Sequence, residues 1–201
     1  MDKAGHWDSI YASKADEELS WTQAEPAMSL KLIGEACAKG RVLDVGGGRS
    51  VLAERLLDLG YAVGVLDISA AALASAQERL GARAKEIEWI VADVTEMPSI
   101  NECDVWHDRA VFHFLTSDAD RAAYVALLGR VVQVGGHVVM GTFALDGPAK
   151  CSGLDVRRYD GEMLAEELGP RFALLKSEPE VHVTPGGQRQ SFQFSLFRRV
   201  R

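Results

Sequence analysis

From Arg41 onward, short apolar runs alternate with stretches whose apolar residues recur every three or four positions. "RVLDV" (41–45), "AVGVLD" (62–67), "IEWIVAD" (87–93), "CDVWHD" (103–108) and "GHVVMGTFA" (136–144) have the length and branched content of buried strands. Helical patterns separate them. Ser50 can cap a helix with Leu52, Leu56 and Leu59 on one face, and Gly60 ends it. Ser69 can cap a second helix carrying Leu73, Ala76 and Leu80, with Gly81 after it. Tyr124, Leu128 and Val131 stripe a helix from Asp118 to Val132, and Asp160 can cap a short one containing Leu164 and Leu168. Strands that alternate with helices predict βαβ units: a doubly wound parallel α/β sheet with helices on both faces.

Both ends of the chain break this rhythm. "RFALLKSEPEVHVT" and "RQSFQFSLFRR" are extended runs joined by "PGGQ" (185–188), which predicts an antiparallel hairpin with Phe192, Phe194 and Leu196 along one face. Residues 1–40 predict two helices, one around Trp7–Tyr11 and one to about Ala38, with Pro26 at its first helical position. They are expected to form a cap or lid on a core of residues 41–201, within a single domain.

Composition narrows the classes. The 201 residues are 47 % hydrophobic and 25 % charged, ordinary for a soluble globular chain. The net charge of −7 argues against nucleic acid, whose phosphates call for a basic face. Cys37, Cys103 and Cys151 lie far apart and form no C-x-x-C pair, so neither a disulfide framework nor a metal site is expected. With no signal peptide and no bilayer-spanning run at hand, the expected location is cytoplasmic, with no membrane partner.

The candidate chemistry starts at "VLDVGGGRS" (42–50), where a glycine loop joins a strand to a helix. Glycine allows close backbone approach, and a helix N-terminus offers free N–H groups. Asp67 ends the next strand and is placed to bind ribose hydroxyls; Asp93 ends the third. A dinucleotide loop needs G-x-G-x-x-G, but Val51 stands where the third glycine belongs. Asp44 would repel a pyrophosphate and attract an ammonium or sulfonium. No Lys-Ser/Thr pair follows the glycines, which excludes a P-loop.

The ordered set Asp44–Gly46–Gly48, Asp67, Asp93 and the C-terminal hairpin resembles the class I S-adenosylmethionine (SAM) dependent methyltransferases, from about Arg41 to the end of the chain. "VLDVGGGRS" is similar to their first motif, with Ser50 in place of its last glycine; "VLDIS" is similar to the second and "VADVTEMP" to the third. The resemblance implies a Rossmann-like, seven-stranded sheet whose last strand is antiparallel, and SAM as cofactor. It places Asp44 near the methionine amine, the backbone of Gly46, Gly47 and Gly48 along the methionine and ribose, Asp67 with Ile68 at the ribose, and Asp93 with Val94 at the adenine. Trp7 and Tyr11, four apart on one helix face, are candidates to cover the sulfonium by cation–π attraction.

"WHDRAVFHFL" (106–115) resembles the W-D-R-G run of thiopurine and thiol methyltransferases and the D-K-G-T run of protein-lysine methyltransferases. Asp108 and Arg109 are the catalytic candidates. Arg109 favours an anionic acceptor such as a thiolate, and Asp108 would suit an amine. Trp21, His113, Cys151 and Tyr159 are candidate substrate contacts, the last two from the Gly- and Pro-containing stretch 146–160. Cys151 could also relay a soft acceptor. His107 and His113, six apart, share no helix face and match no metal pattern; His107 is expected to be a sheet residue. A small-molecule acceptor such as a thiol is the leading expectation. A protein lysine, a nicotinamide oxidoreductase and a catalytically silent SAM-binding module are the alternatives.

Overall fold

The computed structural model describes residues 3–96 and 98–201. Met1 and Asp2 of the expected cap, and Met97 of "VADVTEMP", lie outside them. Seven strands form one sheet: β1 (Arg41–Val45), β2 (Ala62–Asp67), β3 (Ile87–Val91), β4 (Cys103–Arg109), β5 (Val132–Phe143), β8 (Phe172–Val183) and β9 (Arg189–Arg199). Their order is β3-β2-β1-β4-β5-β9-β8. The first five run parallel, and β9 pairs antiparallel with both β5 and β8. This is the doubly wound sheet with an antiparallel C-terminal hairpin that the alternation predicts.

Two layers of helix cover the sheet because successive side chains of a strand point to opposite faces. Val42, Val63, Val105 and Val139 face α2 (Ala27–Ala36) and α3 (Leu52–Asp58). Leu43, Trp106, Val138 and Met140 face α5 (Asp118–Val131) and α6 (Gly161–Leu168). α4 (Ala70–Leu80) buries Leu73 on the α2–α3 side. Phe192, Phe194 and Leu196 bury together on that same face, as their alternation predicts.

Several boundaries differ from the sequence patterns. β3 stops at Val91, so Asp93 stands in the turn beyond it. β5 begins at Val132 directly after α5, four residues before the strand pattern of 136–144 and at the last residue of the helical one. Pro26 sits just before α2, which ends at Ala36. Leu59 closes α3 and is 58 % exposed, so the buried face is carried by Leu52 and Leu56. Ser50 lies one residue farther out than a standard cap, yet its hydroxyl accepts the Leu52 N–H at 3.1 Å. The stretch 146–160 contains a two-stranded ribbon, β6 (Lys150–Cys151) with β7 (Leu154–Asp155).

The connection from β1 runs to β2 on one side, while β4 and β5 lie on the other. The carboxyl ends of β1 and β4 therefore flank a point where the winding reverses, which is where open α/β sheets bind ligands.

Candidate functional site

A cavity of about 280 Å³ opens at those carboxyl ends. The sheet supplies Val45, Gly46, Asp67, Ile68, Asp93, Val94 and Arg109 to its wall; α1 (Lys3–Ser13) and the segment after it supply Trp7, Tyr11 and Trp21. Cys151 and Leu154 of the β6–β7 ribbon reach the same space. Helix, sheet and ribbon thus bring ten of the expected site residues to one cavity.

The glycine loop is shaped by its conformations. Gly46 and Gly48 have φ of 68° and 46°, a region where a side chain is strained. A Cβ on Gly46 would stand 2.1 Å from Val111 Cγ2, and one on Gly48 would stand 2.6 Å from the Tyr11 hydroxyl. Gly46 donates its N–H to the Leu66 carbonyl at 2.7 Å, which fixes the loop to the end of β2.

Asp67 lines the cavity and accepts the Ser69 N–H at 2.8 Å. Burial pushes its carboxyl up to about 6, and the charges of Asp44 and Asp8 act in the same direction. Asp93 accepts both the N–H and the hydroxyl of Thr95, at 2.8 and 2.7 Å, and pairs with Lys3 at 3.5 Å. Burial acts to raise its carboxyl, but Thr95 and Lys3 outweigh that and hold it below its ordinary value. Two acids in equivalent places are therefore poised differently.

An aromatic cluster forms the roof. Trp7 meets Phe114 at 5.1 Å and Trp21 at 5.9 Å between ring centres, and Tyr11 meets Trp21 at 6.0 Å, all edge-on. Residues that the sequence patterns passed over hold this roof in place. Ser69 donates its hydroxyl to Asp8 at 2.6 Å. Arg49, from the glycine loop itself, grips α1 through the carbonyls of Tyr11 and Lys14 and the carboxylate of Asp16. No spacing rule flags such contacts, because they join segments far apart in the chain.

Arg109 lines the cavity on the side of β4. It donates one N–H to the Trp21 carbonyl at 2.9 Å, and its guanidinium lies 4.6 Å from the centre of the Phe192 ring. Among the described residues its Nε and Nη2 are buried without a partner. Burial pushes its pKa down to about 10, against the pull of Glu180, and the group stays charged at neutral pH. Burial also pushes the Cys151 thiol up, which keeps it protonated and opposes a relay through its thiolate.

Other expected site residues stand away from the cavity. Asp108 is fully buried and accepts from the Val111 and Phe112 N–H groups at 2.8 and 3.1 Å and from the Tyr124 hydroxyl at 2.5 Å. With its oxygens spent on fastening the turn after β4, it does not line the cavity. His113 is fully buried, stacks 4.7 Å from Phe143 and accepts that residue's N–H at 3.3 Å. Burial and then the Arg109 charge drive its imidazole down to about 3, so it is neutral. Tyr159 is buried on the opposite face of the sheet, 5.5 Å from Phe112. Asp44, Gly47 and Gly48 lie just outside the cavity wall. Asp44 is 3 % exposed and pairs with His107 at 2.7 Å, while its Oδ2 has no partner among the described residues.

Among the described residues no cluster of His, Cys, Asp and Glu could hold a metal ion, and no helix is long and apolar enough to cross a membrane.

Residues 42–136 match the family model described as a methyltransferase domain. Over 142 residues the chain is 26 % identical to the mouse (Mus musculus) eEF1A lysine and N-terminal methyltransferase. That match takes in 67 % of this chain but 20 % of the relative, so the chain spans about a fifth of that protein's length. Among solved structures, one concerned with conversion of a disulfide bond into a thioacetal group during echinomycin biosynthesis is 22 % identical, with TM-score 0.79, covering 98 % of this chain and 93 % of the other. The N-methyltransferase NodS of Bradyrhizobium japonicum with S-adenosylhomocysteine is 16 % identical, with TM-score 0.73 and full coverage of both chains. The 1,6-didemethyltoxoflavin N1-methyltransferase of Burkholderia thailandensis is 20 % identical, with TM-score 0.70, covering 98 % and 84 %. At these identities the likeness is one of fold.

Proposed function

We propose that the chain, a class I SAM-dependent methyltransferase by its fold and by the methyltransferase domain matched over residues 42–136, methylates a small anionic acceptor, a thiol or related soft nucleophile, held at Arg109. The observation that carries the acceptor class is Arg109: it lines the cavity with two buried donor nitrogens that nothing among the described residues satisfies. A buried guanidinium with open donors is suited to an anion. Asp108, which would have suited an amine, is committed to the turn after β4.

The residues in and behind the cavity wall fit the cofactor. The unpartnered Oδ2 of Asp44 suits an ammonium, Asp67 offers acceptors to ribose hydroxyls, and the bare loop at Gly46 admits close approach. When bound, SAM supplies a methyl group on a sulfonium. The chain's own part is to align and dry the site. Trp7, Tyr11 and Trp21 exclude water from above, Arg109 holds the acceptor's negative charge, and the glycine loop fixes the donor side. Aligning two reactants in this way accounts for up to roughly 7–11 kcal/mol of a displacement barrier. A thiol brought beside Arg109 ionises more readily, so no separate base is called for. We read residues 3–40 as a lid on one catalytic domain. Sulfur chemistry is compatible with this fold, since the structure concerned with disulfide-to-thioacetal conversion shares it.

A protein-lysine acceptor is the second reading, favoured by the similarity to the eEF1A lysine and N-terminal methyltransferase. Thermal shift with SAM, S-adenosylhomocysteine and NADH tests the cofactor. Ligand at about a hundred times its Kd stabilises by roughly 2.7 kcal/mol. Stabilisation by NADH alone overturns the methyltransferase reading. Methyl-labelled SAM incubated with cell extract then separates the acceptors: label in the small-molecule fraction supports the first reading, and label confined to protein supports the second. Binding of SAM with transfer to neither fraction marks a silent module.

A further inference from the structure

The parallel register of β1 and β4 sets Asp44 beside His107. Both side chains leave the sheet on the side of Val42 and Val105, beneath α2. There His107 Nδ1 lies 2.7 Å from Asp44 Oδ1, and Nε2 lies 2.9 Å from the hydroxyl of Ser29 on α2. Asp44, His107 and Ser29 are 3 %, 2 % and 1 % exposed. A carboxylate only accepts, so Nδ1 carries the ring proton and donates it; the bare Nε2 accepts from Ser29. The order resembles a hydrolase triad, but the buried Ser29 hydroxyl points at the ring and away from the cavity, so it is no nucleophile.

This line spends one oxygen of Asp44. The other, Oδ2, is buried without a partner, and a Cβ on Gly47 would stand 2.8 Å from it. His107 is the one basic side chain paired with Asp44 among the described residues. An unmatched carboxylate oxygen beside the glycine loop is a vacancy for a cationic donor.

We propose that Ser29, His107 and Asp44 form a positioning relay, in which His107 holds Asp44 so that Oδ2 receives the α-ammonium of the cofactor's amino-acid tail. The inference rests on the SAM reading above and adds to it a residue pair outside the cavity. Ser29 fixes the imidazole, the imidazole fixes the carboxylate, and α2 thereby sets how well the site binds the tail.

Calorimetric titration with two ligands tests the relay. S-adenosylhomocysteine carries the α-ammonium; 5′-methylthioadenosine shares the nucleoside and lacks the tail. His107→Leu is expected to weaken S-adenosylhomocysteine about 10–100-fold, the worth of a hydrogen bond to a charged group. It leaves methylthioadenosine within about twofold, because the nucleoside contacts are untouched. His107→Asn places an N–H near Nδ1 and recovers most of the loss. Ser29→Ala, the milder change, weakens S-adenosylhomocysteine by about threefold to tenfold and spares methylthioadenosine. Asp44→Asn combined with His107→Leu is no worse than Asp44→Asn alone. Equal losses on both ligands, or no rescue by Asn, overturn the relay while leaving the cofactor reading intact. If the unaltered chain binds neither adenosyl ligand, the cofactor reading itself fails and the relay falls with it. Should His107→Leu not fold, the Ser29→Ala comparison decides alone.

Discussion

Arg109 donates to the carbonyl oxygen of Trp21 at 2.9 Å, so the β4 side of the cavity is bonded to the segment that roofs it. The remaining donors of the guanidinium are free to take an anion. Arg109→Lys keeps a charge but loses the planar fork. It is expected to lower kcat/KM on an anionic acceptor about 100-fold while changing the Kd for S-adenosylhomocysteine by less than about threefold. Steady-state kinetics beside calorimetry checks this. An unchanged kcat/KM removes Arg109 from acceptor binding.

Asp108 is predicted to act on stability. Asp108→Ala strands the Val111 and Phe112 N–H groups and the Tyr124 hydroxyl. The expected cost is about 3–5 kcal/mol, with Tm falling by about 2–4 °C for each of these. Turnover per folded molecule, measured well below that Tm, should stay near the unaltered value. A selective loss of turnover with Tm intact would return Asp108 to the reaction.

Asp67 gives the site a pH dependence. Its carboxyl is raised from an ordinary 3.8 to about 6, so its contribution to folding is full below 3.8 and is lost as pH rises through 6. Ligand binding runs the other way. Ribose hydroxyls donate to the ionised form, so affinity for S-adenosylhomocysteine should weaken as pH falls through about 6, by up to tenfold per unit. Asp67→Asn should bind more weakly and lack this slope. A wild-type affinity flat from pH 7 to pH 5 (both about a unit from that value) contradicts the assignment.

Gly48→Ala tests the coupling between loop and lid. At φ 46° a Cβ is strained, and it would stand 2.6 Å from the Tyr11 hydroxyl. The backbone cost is about 1–2 kcal/mol. The larger consequence is a displaced α1, read as a red shift in the fluorescence of Trp7 and Trp21 and faster proteolysis near residues 14–25. Unchanged emission would mean that the loop yields and the lid does not.

Periodicity and turn residues made most of the sheet legible, because a two-residue alternation and glycine-ended helices are local signals. Asp67, Asp93 and the glycine loop could be placed at the cavity for the same reason: each lies at or just beyond the end of a strand. Asp108 misled because the end of a strand says where a side chain starts and not which donors surround it. Three donors brought by the next turn and by α5 took it out of the cavity. His113 and Tyr159 were likewise claimed by Phe143 and Phe112. The pairing of Asp44 with His107 was hidden for a different reason. It depends on the register of two strands 63 residues apart, which no local pattern records.

The anchoring of the N-terminal segment also sets an order of events during synthesis. Residues 3–21 leave the ribosome before the residues that fasten them, Asp93, Arg109 and His182, whose Nε2 donates to the Ser20 carbonyl at 2.7 Å from 162 positions downstream. At about 5–20 residues per second, roughly 8–30 s of translation separate the two ends of that bond. α1 is thus made well before the residues that hold it in place. Through that interval a nascent chain exposes Trp7, Tyr11 and Trp21 to water, and its aromatic roof is available to chaperones before it covers any ligand.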